Sequence, residues 1–105
     1  MKVKFANGVV KGCSSPTEQK IFKSNSGVSG WALSLRLIGK ITSTELDEIL
    51  TVENIASLEF LTEDENGENK TIFTLNGYDK ITSSIIRHAE ETTSTTVDIQ
   101  VSKGV

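Results

Sequence analysis

Leu58-Glu59-Phe60-Leu61-Thr62-Glu63-Asp64-Glu65-Asn66-Gly67-Glu68-Asn69-Lys70-Thr71-Ile72-Phe73-Thr74-Leu75 is the stretch whose reading decides the fold. Two β-prone runs flank Asn66-Gly67, a dipeptide suited to a two-residue type I′ turn because both of its positions tolerate positive φ. A loop of that length sets Leu58 against Leu75, Phe60 against Phe73, Thr62 against Thr71 and Glu63 against Lys70. All four pairs are chemically compatible across antiparallel strands.

Working outward, the same chemistry recurs. Val3-Lys4-Phe5-Ala6, Asn7-Gly8 and Val9-Val10-Lys11 predict a second hairpin, with Phe5 facing Val10 and Val3 facing Gly12. Asn76-Gly77 closes a further turn, although a two-residue loop there would put Phe73 against Lys80, so a different register is expected. Trp31, Leu33, Leu35 and Leu37 alternate with Ala32, Ser34 and Arg36, the clearest strand pattern in the chain. Val97, Ile99 and Val101 alternate with Asp98 and Gln100 and close the sequence with a strand. Residues 81–90 fit both a helix stripe and a strand face; their Ile, Ser and Thr content favours the strand.

One helix is expected near residues 43–50. Thr42 at the N-cap places Glu45 three residues on, and Ile41 and Leu46 occupy the hydrophobic staple positions. Leu46, Ile49 and Leu50 form its apolar stripe. Residues 14–30 hold the only Pro, two Gly and five Ser, and read as a long Ser/Gly-containing loop with room for a short edge strand at Glu18 to Phe22. The fold class is therefore mainly β with a minor α part: an antiparallel β-roll, sandwich or partly open barrel of six to eight strands, in a single domain spanning residues 1–105.

Composition narrows the function classes. The 11 basic and 14 acidic residues give a net charge of −3, which provides no basic field for nucleic acid. The charges are uneven: Lys2, Lys4, Lys11, Lys20 and Lys23 lie early, whereas Glu59 to Glu68 is acidic, an asymmetry suited to head-to-tail contacts between copies. No apolar run approaches the roughly 20 residues that cross a bilayer as a helix. The lone Cys13 permits no intrachain disulfide, and Met-Lys-Val-Lys-Phe lacks the apolar run of a signal peptide, so a reducing, cytoplasmic setting is expected.

The search for chemistry returns little. Neither GxGxxG nor GxxxxGK[ST] occurs. Thr62, Asp64, Asn66 and Gly67 mimic the start of a calcium loop, but Phe73 stands where a bidentate Glu is needed, so an ordinary solvated turn is the better reading. A Cys13–His88 dyad is the only histidine-based thiol site conceivable, and neither residue has a characteristic flanking motif. Glu45, Asp47 and Glu48 read as a solvated helix face. No catalytic residue, cofactor or metal is expected, and the chain is read as a non-enzyme. Trp31 heads a strand of leucines and Tyr78 flanks a turn, so both read first as packing residues. With Ser24, Asn25, Ser26 and Val28 they also form the candidate interaction surface, and Trp31 and Tyr78 are the platform of an alternative small-ligand or carbohydrate-binding module.

The order of features, Val3-Lys4-Phe5-Ala6-Asn7-Gly8, a central strand, Thr44-Glu45-Leu46-Asp47-Glu48-Ile49-Leu50, the Thr51 to Phe60 run, a hairpin into Tyr78 and the closing Val97-Asp98-Ile99, resembles small prophage-encoded proteins of Gram-positive bacteria. Such proteins belong to the virion or tail-assembly region. The resemblance implies a structural role, partners that are copies of the chain or neighbouring structural proteins, and incorporation into a phage particle.

Overall fold

A computed structural model describes residues 1–23, 27–88 and 95–105. The protein is mainly β, with strands β1 (Lys2–Lys4), β2 (Val10–Cys13), β3 (Thr17–Lys23), β4 (Gly27–Gly39), β5 (Ser57–Glu63), β6 (Asn69–Asn76), β7 (Lys80–His88) and β8 (Thr95–Gly104), and helices α1 (Ser43–Ile49) and α2 (Val52–Ile55) between β4 and β5. All pairings are antiparallel and build one sheet in the order β6-β5-β1-β2-β4-β8-β7, with β3 also on β4.

The sheet is not closed into a barrel. Its two outermost strands are nevertheless joined by residues 77–79 alone, which can span no more than about 14 Å. The sheet therefore rolls until its edges approach at that corner and diverge beyond it. The radius of gyration, 14.6 Å, exceeds the about 13 Å usual for 100 residues, in keeping with an open roll.

The inner face of the roll is the core. Leu33, Leu35 and Leu37 of β4 pair with Val101, Ile99 and Val97 of β8, so the alternation read from the sequence places both sets on one side. Val3, Phe5, Leu58 and Phe60 extend that face, and Leu46, Ile49 and Ile55 bring the helices onto it.

Thr42 caps α1, its hydroxyl accepting from the Glu45 amide at 3.1 Å, with Ile41 and Leu46 both buried as the staple requires. The reciprocal half of the capping box is absent because the Glu45 carboxylate turns to Lys11 of β2 and forms an ion pair. Where one helix was expected there are two. Thr51 accepts from the Asn54 amide at 3.3 Å and starts α2, whose Asn54 carbonyl accepts from the Ala6 amide. Thr51 is a second N-cap, at the head of the Thr51 to Phe60 run.

Both Asn-Gly hairpins use three-residue loops instead of two. In the first, the Phe5 amide donates to the Val9 carbonyl and Gly8 takes φ 91°, so Val3 pairs with Lys11 and Lys2 with Gly12, one residue from the expected register. In the second, the Asp64 amide donates to the Glu68 carbonyl and Gly67 takes φ 79°. Thr62 accordingly faces Lys70 and Glu63 faces Asn69. An irregularity between Phe60 and Leu61 leaves Ile72 as an extra residue on β6 and restores the expected Phe60–Phe73 and Leu58–Leu75 pairs. The two Phe rings stack with centroids 4.7 Å apart.

Residues 14–30 are not a long loop. The edge strand anticipated at Glu18 to Phe22 runs from Thr17 to Lys23, and β4 already begins at Gly27. β2 and β3 lie end to end along β4: the Ser14 amide still donates to the Arg36 carbonyl, and Thr17 pairs with Ser34, so Ser15 and Pro16 share one partner position. Proline lacks the donor a ladder needs and is accommodated at such an interruption. Ser and Gly content misled the reading because this edge is half solvated. The ambiguous segment is strand through His88; residues 89 and 90 fall outside the described ones.

Candidate functional site

The predicted interaction residues do not converge. Ser24, Asn25 and Ser26 lie outside the described residues. Val28 and Trp31 are half-buried on β4. Tyr78 is 0% exposed, which removes it from any surface and removes the Trp31–Tyr78 ligand platform with it. The Lys103 ammonium sits 5.5 Å from the Trp31 ring centroid and 4.6 Å from that of Tyr78, and donates to the Asn76 carbonyl at 2.7 Å. The Tyr78 hydroxyl donates to the Glu18 carboxylate. Together these contacts fasten the 77–79 link to β3, β4 and β8, a cation–π latch at the corner of the roll.

Asn76-Gly77 consequently does not close a hairpin. Gly77 takes φ 88° as its sequence suggests, but its amide donates to the Ala56 carbonyl and the Asp79 amide to that of Ser102, so the chain leaves one sheet edge for the other.

Nucleophilic chemistry finds no support among the described groups. Cys13 is buried, and burial pushes its thiol above the ordinary value, away from the reactive thiolate. β4 and β8 stand between β2, which carries Cys13, and β7, which carries His88. Among the described residues no three His, Cys, Asp or Glu side chains gather to hold a metal ion. The supposed calcium loop is a capped turn: Asp64 Oδ1 accepts from the Asn66 and Glu68 amides at 2.8 and 3.0 Å.

Two surface features do emerge. The first is the pair of outermost strands. Among the described residues β6 pairs only with β5, and β7 only with β8. Ile72 (49%) and Phe73 (37%) are exposed on β6, as are Ile85 (49%) and Ile86 (43%) on β7. Consecutive apolar residues in a strand point to opposite faces, so the adjacent Ile85 and Ile86 could not both reach the core.

The second is a polar groove of about 390 Å³ on the outer face, lined by Ser14, Ser15, Thr17, Ser34, Ser83 and Gln100 around the Arg36–Asp98 pair. Arg36 binds Asp98 at 2.7 and 3.3 Å, and Arg87 Nε lies 3.7 Å from the same carboxylate. The Arg36 hydrogen bond holds the Asp98 carboxyl below its ordinary value of 3.8. A depressed carboxyl stabilises the fold above its unfolded value, and that contribution disappears as pH falls through the folded one. Thermal melts should therefore show Asp98→Asn less stable than the parent at neutral pH, with the gap closing in acid; a constant gap would show that the carboxylate charge contributes nothing.

Among the described residues no helix is long and apolar enough to cross a membrane. No known protein family model, no curated protein and no solved structure matches this chain.

Proposed function

We propose that this chain is a non-enzymatic structural or protein-interaction module that associates with copies of itself or with neighbouring structural proteins, as the resemblance to prophage virion and tail-assembly proteins implies. The observation that carries the reading is the pair of outermost strands, each with exposed large apolar side chains and no described partner on its outer side. Unpaired edges add strands from partners, and main-chain hydrogen bonds supply the affinity. Light scattering behind size exclusion, at low and moderate salt, tests it: a defined oligomer, visible by negative stain, is the expected result. A strict monomer at high concentration would count against self-association.

A second reading, a small-ligand or carbohydrate-binding module, is favoured by the hydroxyl-lined groove around Arg36 and Asp98. Calorimetric titration with oligosaccharides tests it, with loss of heat in Ser34→Leu expected if the groove is the site.

A further inference from the structure

We propose that β7 of one copy adds antiparallel to β6 of a second copy, with Arg87 set against the acidic tip of the β5–β6 hairpin. The inference rests on the assembly reading above and names its surfaces.

The centres of the two edges are bare of charge. Thr71-Ile72-Phe73-Thr74-Leu75 in β6 and Ile81-Thr82-Ser83-Ser84-Ile85-Ile86 in β7 contain no charge and no proline; charge stands only towards the strand ends, at Lys70 in β6 and at Lys80 and Arg87 in β7, and each pairing has one irregularity. They match in length, at eight and nine residues. Each exposes two large apolar side chains, Ile72 and Phe73 on one and Ile85 and Ile86 on the other.

Charge supplies the orientation. Glu63, Asp64, Glu65 and Glu68 surround the β5–β6 turn, at the start of β6. Arg87, its side chain 65% exposed, stands near the far end of β7. Antiparallel addition with Arg87 opposite Asn69 places its guanidinium beside Glu68, puts Ile85 opposite Thr71 and sets Lys80 against the neutral Asn76. A parallel addition would break the antiparallel pattern of the whole sheet for a ladder slightly less stable per residue.

A second copy suits these edges better than closure within one chain. The 77–79 link already brings β6 and β7 to a common corner, yet no register joins them. Because β6 and β7 are different surfaces, their pairing is head-to-tail and propagates into a ring or a filament.

The test uses the full chain in three forms of one experiment. Light scattering over a concentration series should show Ile85→Lys and Arg87→Glu each weakening assembly by about tenfold or more, with Glu68→Lys restoring it to the Arg87→Glu protein. Circular-dichroism melts of Ile85→Lys should stay close to the parent, which separates lost pairing from lost folding. Arg87→Glu also sets a second carboxylate beside Asp98, so for that variant the separation is its rescue by Glu68→Lys, which a folding defect would not show. Under mild oxidation, Thr71→Cys protein mixed with Ile85→Cys protein should give disulfide-linked pairs that neither gives alone. Cross-links within the Thr71→Cys protein alone would overturn the head-to-tail pairing. Assembly unchanged by both Ile85→Lys and Arg87→Glu would overturn the named surfaces while leaving the assembly reading intact. A parent that is monomeric at every concentration would overturn both.

Discussion

Tyr78→Ala should destabilise the protein by about 3–5 kcal/mol, a loss typical of emptying a buried aromatic site. Tyr78 is the largest of the fully buried side chains, and it plugs the corner where the two sheet edges meet. Its removal also takes away one of the two rings that hold Lys103 and the donor to Glu18. Against a total stability of about 5–15 kcal/mol, such a change threatens the fold itself. Thermal melting should fall by more than about 12 °C. Tyr78→Phe keeps the ring and loses only the hydroxyl, so about 1 kcal/mol is expected. The chain has a single tyrosine, which makes the same residue its own reporter. Burial first, and then Glu18, push its phenol well above the ordinary 10.0. A raised value means the fold is favoured below 10.0 and loses stability as pH rises beyond it. Phenolate absorbance should therefore appear together with the loss of the circular-dichroism signal; phenolate formed in an intact fold would show that Tyr78 is not enclosed as described.

Gly30→Ala is expected to cost about 2–3 kcal/mol for a different reason, overpacking. A Cβ on Gly30 would meet the Lys103 carbonyl oxygen at 2.3 Å and its carbon at 3.3 Å. Both are backbone atoms, so no rotamer relieves the clash and the end of β8 must move away from β4. That movement carries Lys103 off Trp31 and Tyr78, coupling the clash to the latch. Gly104→Ala is the matched control, since nothing lies within 4 Å of a Cβ there. Chemical denaturation of the two variants should separate them clearly. Equal stability would mean that β4 and β8 are not packed so closely at this point.

What the sequence disclosed and what it withheld divide along the range of the interactions. The alternation from Trp31 to Leu37, the cap at Thr42 and the Phe60–Phe73 pair depend on neighbours or on one turn, and they are present. Asn-Gly named every position of positive φ at which it was read, Gly8, Gly67 and Gly77, yet gave neither loop length nor partner. At Gly77 the same dipeptide directs the chain across the mouth of the roll, because Tyr78 finds its burial on β3, β4 and β8 instead of on β6. Ser/Gly content at 14–30 reported solvation and was taken for loop, although a strand beside β4 satisfies its backbone equally well. The interaction surface was the least legible part. Trp31 and Tyr78 read first as packing residues and second as a contact surface; the first reading holds for the buried Tyr78, and Trp31 is half-buried. The β6 and β7 edges became visible only once the sheet order placed those strands outermost.

The position of β4 also sets the order in which this chain can fold. β1–β2, β3–β4, β5–β6 and β7–β8 are all pairs of strands adjacent in sequence, and such hairpins form within about 1–10 μs. The ladder from Gly30–Gly104 to Gly39–Thr95 instead closes most of the chain into a loop, and pairings of that separation dominate slow-folding β-proteins. Joining β4 to β8 and joining β1 to β5 are thus the slow events, and until they happen the β7–β8 and β5–β6 hairpins are separate units with their edges open. Aggregation in that interval, and not only the stability of the finished roll, is what the sequence of this protein has to survive.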